Sequence, residues 1–124
     1  MKVLKDEYGK VEIYDSYAIT TVNEGVTIKP LHNRGFKRIA EEIFPNKNFG
    51  YISNRINSYS IDPKIYIETS KIENLVAFAV VSKNPIQISI SEIEKIFLKK
   101  PFKHFTDLEE SIKWIKEKVE DSNS

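Results

Sequence analysis

Residues 75–82 read LVAFAVVS, apolar at every position but the last and without alternation. A strand of that composition has no face to show to water. It belongs at the centre of a parallel sheet covered by helices on both sides, and the rest of the chain is read around it.

Upstream, Val11 and Ile13, then Tyr17, Ile19 and Thr21, alternate with polar residues on either side of Asp15-Ser16. This predicts two strands joined by a tight turn, with Asn23-Glu24-Gly25 marking the exit. After Pro30, Leu31, Gly35, Ile39 and Ile43 recur every four residues, with Phe36 and Ala40 widening the stripe. That predicts a helix ending at Pro45. Gly35 inside it costs about 1 kcal/mol relative to alanine, which suggests close approach to the sheet. FGYISN (49–54) reads as a buried strand, and a short helix is expected from Pro63, although Ile65-Tyr66-Ile67 also suits a strand.

Residues 84–99 carry two periods. Ile86, Ile88 and Ile90 alternate, but Ile86, Ile90, Ile93 and Phe97 are spaced four, three and four, and this pattern covers the whole run. A helix is predicted. Pro101 breaks it, PFKHF (101–105) is a short edge strand, and a final helix follows. Thr106 and Glu109 have capping-box spacing at its start, and Leu108, Ile112, Ile115 and Val119 form its stripe. The expected fold is α/β: a mixed, mostly parallel sheet of about five strands with an N-terminal hairpin and about four helices, in the order β-β-α-β-α-β-α-β-α. Residues 1–119 form one domain, and 120–124 a disordered tail.

The 124 residues suit a single domain, and 19 basic against 18 acidic residues leave it near neutral. That balance argues against a nucleic-acid binder. The three lysines of KKPFKH (99–104) are better placed complementing a helix terminus and guarding a strand edge. The chain has no cysteine, so thiolate chemistry and cysteine-held metals are excluded. Neither a secretory h-region nor an 18-residue apolar stretch is present, and a cytoplasmic location is expected. His32 and His104 are the two histidines, and neither has ligand-like spacing to a carboxylate or to the other, so no metal site is expected. The four glycines lack Walker or dinucleotide spacing, and no Gly-x-Ser-x-Gly elbow occurs. No cofactor and no catalytic residue is expected. Trp114 lies off the stripe of the last helix, either plugging the sheet's flank or anchoring a partner.

One loop stands out. Asn54, Arg55, Asn57, Ser58, Tyr59 and Ser60 crowd hydrogen-bonding groups between a strand's carboxyl end and a helix start. Open α/β sheets bind ligands there. Such a loop can hold an anion, a nucleotide, a lipid headgroup or a partner's carboxylate. Against this, Asp62 before Pro63 is a natural N-cap that would already fill the anion position. The alternative is that these polar groups satisfy the turn and Arg55 pairs with a carboxylate.

The segments NEGV (23–26), FGYISNRINSYSIDP (49–63), KIENLVAFAVVS (71–82), FLKKPFKHF (97–105) and DLEESIKWI (107–115) give the chain a family likeness. It resembles the STAS domain of anti-sigma-factor antagonists, and more closely the small bacterial STAS-like proteins classed with CRAL-TRIO lipid-binding domains. The resemblance implies a non-catalytic protein-interaction or regulatory module, contacting another protein or its own copy through Asn54–Ser60 and the second helix. In such antagonists a serine at the start of the helix after the third strand is phosphorylated. Ser58 or Ser60 would correspond by location, but the family's Asp-Ser-Ser-Gly-like surround is replaced here by Ile-Asn-Ser-Tyr-Ser-Ile-Asp-Pro. The alternative is a small-ligand domain using the same crevice, although no spare apolar helix is evident to line a lipid tunnel.

Overall fold

The computed structural model describes residues 2–57 and 59–124. Six strands form the main sheet: β1 (Lys2–Asp6), β2 (Gly9–Ile13), β3 (Tyr17–Val22), β5 (Phe49–Asn54), β7 (Leu75–Val81) and β8 (Phe102–Phe105), side by side in that order. The first three run antiparallel, while β3–β5, β5–β7 and β7–β8 are parallel. A separate two-residue pair, β4 (Thr27–Ile28) with β6 (Ser60–Ile61), is also parallel. The helices are α1 (Asn33–Arg38), α2 (Ile65–Thr69), α3 (Pro85–Phe97) and α4 (Leu108–Ser122).

The expected order is recovered, and LVAFAVV is an inner strand flanked by parallel neighbours. The sixth strand, β1, is the addition. Its sequence KVLKD is largely exposed at the sheet's edge, so it carries no apolar periodicity and is held by pairing with β2. Charged residues suit such an edge, where they discourage pairing with another chain. At the other end, α4 continues to Ser122, so the tail expected from residue 120 is helical for three residues.

Among the described residues, α4 is the helix that covers one face of the sheet. Its Ile115 and Val119 are buried against Ile19, Ile52, Ala77 and Ala79. A β-carbon at Gly50 on β5 would collide with the Ile115 side chain, so this glycine sets how closely helix and sheet approach. The helix is capped by Asp107, whose carboxylate accepts from the Glu109 N–H at 3.2 Å. The cap is therefore Asp107, one residue beyond the expected Thr106. Trp114 is half-buried with its ring 5.6 Å from Phe105, on the flank of this layer.

The opposite face is roofed by short pieces. A 3-10 turn (Pro30–His32) leads into α1, which continues as a π-helical turn (Ile39–Ile43). The Asn74 amide donates to the carbonyls of Ala40, Phe44 and Lys47, closing the end of that irregular turn. The Thr69 hydroxyl donates to Asn33 Oδ1 at 2.7 Å, tying α2 to α1. Beneath them lie Phe49, Tyr51, Tyr66, Phe78 and Phe102.

Gly35 does not mark a close approach. A β-carbon there would meet nothing within 4 Å, because Gly35 is exposed while its neighbour Phe36 makes the contact with Tyr51 on the sheet. The third helix departs further from its pattern. Ile86, Ile93 and Ile96 are 67%, 53% and 68% exposed, while Ser91 and Glu94 are buried. The isoleucine spacing did signal a helix, but its most apolar side faces out. No described helix is long and apolar enough to cross a membrane.

Candidate functional site

The parallel strands end together, and the residues that follow them, Asn54–Asn57, Ser82–Asn84 and Thr106–Leu108, line a crevice of about 560 Å³. This is the carboxyl-edge crevice expected from the fold. Its anion-binding capacity is largely used up. Asn84 Oδ1 accepts from the Ile86 N–H at 2.9 Å and caps α3, while Asp107 caps α4. Both helix N-termini already have their acceptors.

Arg55 is turned away from solvent. Its side chain and that of Glu94 are each 1% exposed, with Nη2 2.9 Å from a Glu94 carboxylate oxygen. Nε donates to Ser53 Oγ at 3.1 Å, Nη1 to Gln87 Oε1 at 3.3 Å, and Nη2 reaches the Tyr66 hydroxyl at 3.5 Å. Burial opposes the charge on Arg55, but neighbouring Tyr59, Tyr66 and Glu94 outweigh it and hold the guanidinium protonated. Burial raises the Glu94 carboxyl above its ordinary value, and Arg55 pulls the other way. A charge matched in this way is a cross-link between β5 and α3 rather than a free anion receptor.

The other expected residues disperse. Asn54 is half-buried at the end of β5. Asn57 donates from Nδ2 to Val22 O at 3.0 Å and anchors the loop. Ser60 is exposed in β6, its N–H donating to Val26 O. Ser58 lies outside the described residues. Asp62 accepts from the Lys64 N–H at 3.0 Å, as a turn cap. Tyr59 belongs elsewhere: its hydroxyl is 2.9 Å from Ser53 Oγ, and both residues line a second cavity.

That cavity, of about 320 Å³, lies between the sheet and the roof formed by α1, α2 and the β4–β6 pair. Val22, Ile28, Phe36, Ile39 and Phe78 contribute apolar wall. Its exposed lining residues, Asp6, Tyr8 and Lys10 on one side and Leu31, Arg34 and Gly35 on the other, place the mouth between the β1–β2 turn and the start of α1. The inner end is hydroxylic, with Thr20, Tyr51, Ser53, Tyr59 and Tyr66. Burial raises the pKa of Tyr51 and of Tyr66, so both remain neutral phenols. Thr20 Oγ1 is buried beside the Tyr51 phenol, yet no described protein group completes a hydrogen bond of normal geometry to it. Arg55 stands behind this end, holding Ser53 and Tyr66 in place.

Thr20, Tyr51, Tyr66 and Glu94 were not singled out from the sequence: their elements were legible there, but their convergence on one place was not. The one available signal was the arginine at the end of a buried strand, which requires a carboxylate.

The remaining polar candidates have local roles. His32 Nδ1 accepts from the Lys29 N–H at 2.7 Å, and its ring packs on Tyr8. His104 is half-buried with its pKa lowered by burial and by Arg55. Among the described residues no three potential metal ligands converge. In the basic cluster, Lys100 Nζ donates to Ile72 O at 2.7 Å, and Lys103 Nζ lies 5.2 Å from the centre of the Phe105 ring.

No protein-family model and no curated protein sequence matches the chain. Among solved structures it is similar to an uncharacterized protein from the DUF3478 family of Shewanella loihica PV-4, described as having a SpoIIAA-like fold. The TM-score is 0.57 at 10% identity, over 92% of this chain and 90% of that one. At that identity the likeness is one of fold. The chain has a SpoIIAA-like, and so STAS-like, architecture, as its sequence resemblance implied.

Proposed function

We propose that this protein is a non-catalytic binding module that takes a small, mostly apolar molecule into the cavity beneath α1. The observation that carries this reading is the cavity itself: apolar walls, a hydroxylic inner end and a solvent-facing mouth in one enclosure. Small-molecule sites share that construction, and about 320 Å³ lies at the lower end of their usual range. The neutral phenols and hydroxyls suit a carbonyl, hydroxyl or ether group rather than a charged one. Lys10 and Arg34 at the mouth suit an acidic group at the other end of the same molecule. The roof supports the reading as well, because a layer of short pieces opens at less cost than one long helix.

Thermal unfolding in the presence of medium-chain alcohols and medium-chain carboxylates tests it. A probe at 100 times its dissociation constant stabilises the fold by about 2.7 kcal/mol. The shift is expected to fall when Val11→Phe fills the cavity and when Thr20→Val removes a hydroxyl at nearly constant shape. No stabilisation by any probe, or equal stabilisation of both variants, overturns the reading.

A further inference from the structure

The hydroxyls at the inner end of the cavity differ from free ones, because an arginine stands behind them. Arginine donates hydrogen bonds and accepts none. The buried Arg55 Nε donates to Ser53 Oγ at 3.1 Å, and Nη2 reaches the Tyr66 hydroxyl at 3.5 Å. Each of those oxygens turns a lone pair toward the guanidinium, and its own proton points elsewhere. Three protons are left over as a result. Ser53 Oγ and the Tyr59 hydroxyl are 2.9 Å apart and share one hydrogen bond. The pair holds two protons, so one remains whichever oxygen donates. Tyr66 keeps a second, since its oxygen is on the accepting side of Arg55. The third is on Thr20 Oγ1, buried without a described partner. Thr20 and Ser53 are opposite one another on β3 and β5, so their side chains leave the same face about 5 Å apart.

We infer that the cavity selects a ligand whose buried end is a carbonyl, as in a ketone or an ester, over the corresponding alcohol. Thr20, Tyr66 and the Ser53–Tyr59 pair supply the donors, and Arg55 is the positioning residue that keeps them donors. The inference rests on the binding reading given above and narrows its ligand.

A carbonyl oxygen has two lone pairs and no proton of its own to place, so it can accept from two of these groups at once. An alcohol must also donate. The best acceptor at this end, Ser53 Oγ, already receives Arg55 Nε, and a phenol oxygen accepts weakly. A hydrocarbon end would leave the donors unmet, at the desolvation cost of each. A carboxylate would satisfy them, but Glu94 at 2.9 Å already balances the charge of Arg55, and a second buried anion has no counter-charge. The inner end is therefore rich in donors without being positive.

Titration calorimetry with methyl hexyl ketone and with the secondary alcohol of the same carbon skeleton tests the inference. The ketone is expected to bind about tenfold more tightly. Thr20→Val and Tyr66→Phe each remove one proton at nearly constant shape, and each is expected to lower that ratio severalfold by weakening the ketone. Arg55→Met made together with Glu94→Met removes the buried pair without leaving either charge alone. It is expected to erase the preference while the alcohol still binds, which loss of a merely structural residue would not do. The carbonyl stretching frequency of the bound ketone is a second readout. It is expected below its value in hexane and should rise in Tyr66→Phe. Equal binding of the two probes, or tighter binding of the alcohol, overturns the inference and leaves the cavity reading standing. A ratio and a frequency unchanged in both single variants overturn it as well. If neither probe binds, the inference falls, and the cavity reading falls with it only if the carboxylates also fail.

Discussion

The two faces of the sheet are covered in opposite ways. On one, α4 lays a single 15-residue helix across the strands so closely that Gly50 has no room for a methyl group beside Ile115. On the other, a 3-10 turn, a six-residue helix, a π-helical turn, the five-residue α2 and two-residue strands share the task, with α3 beside them toward β8, and about 320 Å³ is left unfilled. A long helix presents one continuous stripe and can close on a sheet along its whole length. Short pieces each orient separately and leave a gap where they meet. The space that can receive a ligand follows from the broken roof, and the closed face supplies the rigidity behind it.

The largest effect should come from the device that holds the broken side together. Glu94→Ala leaves Arg55 charged and buried without its partner, which costs about 3–5 kcal/mol. Urea unfolding measures it, and a loss near zero would mean that α3 is not secured by that pair. The comparison itself is sharpest in one substitution made twice. Gly50→Ala should destabilise by about 1–3 kcal/mol through overpacking against Ile115. Gly35→Ala, which meets nothing on the open face, should instead stabilise by about 0.5–1 kcal/mol. Equal signs at the two sites would break the contrast between the faces.

Between these in size lies a dependence on alkaline pH. Burial raises the pKa of Tyr51 above the ordinary 10.0. Below that value the folded and unfolded chains both keep the phenolic proton, and its contribution to stability is fully present. Above it the unfolded chain releases the proton while the folded chain retains it, so stability falls as the pH climbs toward the folded value. One unit above the ordinary value the loss is about 1.4 kcal/mol for this residue. Tyr51→Phe should flatten the unfolding free energy across that range by the same amount. An unchanged slope would mean that water reaches the cavity's inner end freely.

Much of the fold was legible because the elements that build it are periodic. LVAFAVV could only be an inner strand, and Leu108, Ile112, Ile115 and Val119 could only face a sheet. The carboxyl-edge crevice followed from the order of strands and helices. The candidate loop was legible as a place and not as a set of roles. Arg55, Asn57 and Tyr59 are neighbours in sequence, yet one is buried against Glu94, one holds the Val22 carbonyl and one lines the second cavity. Alternation and helical spacing report how a residue faces its own element, and these residues are in a turn, where neither rule applies.

Local pattern therefore decided the elements, their order and the central strand, since each follows from backbone geometry acting over a few residues. Three things were decided only by tertiary structure. The outward turn of α3 depends on a carboxylate answering an arginine from another element, and the room at Gly35 depends on which side of α1 meets the sheet. The cavity is the third, because it belongs to no segment. It is the volume left when several short elements pack against one sheet, and its existence depends on distances between residues far apart in the chain.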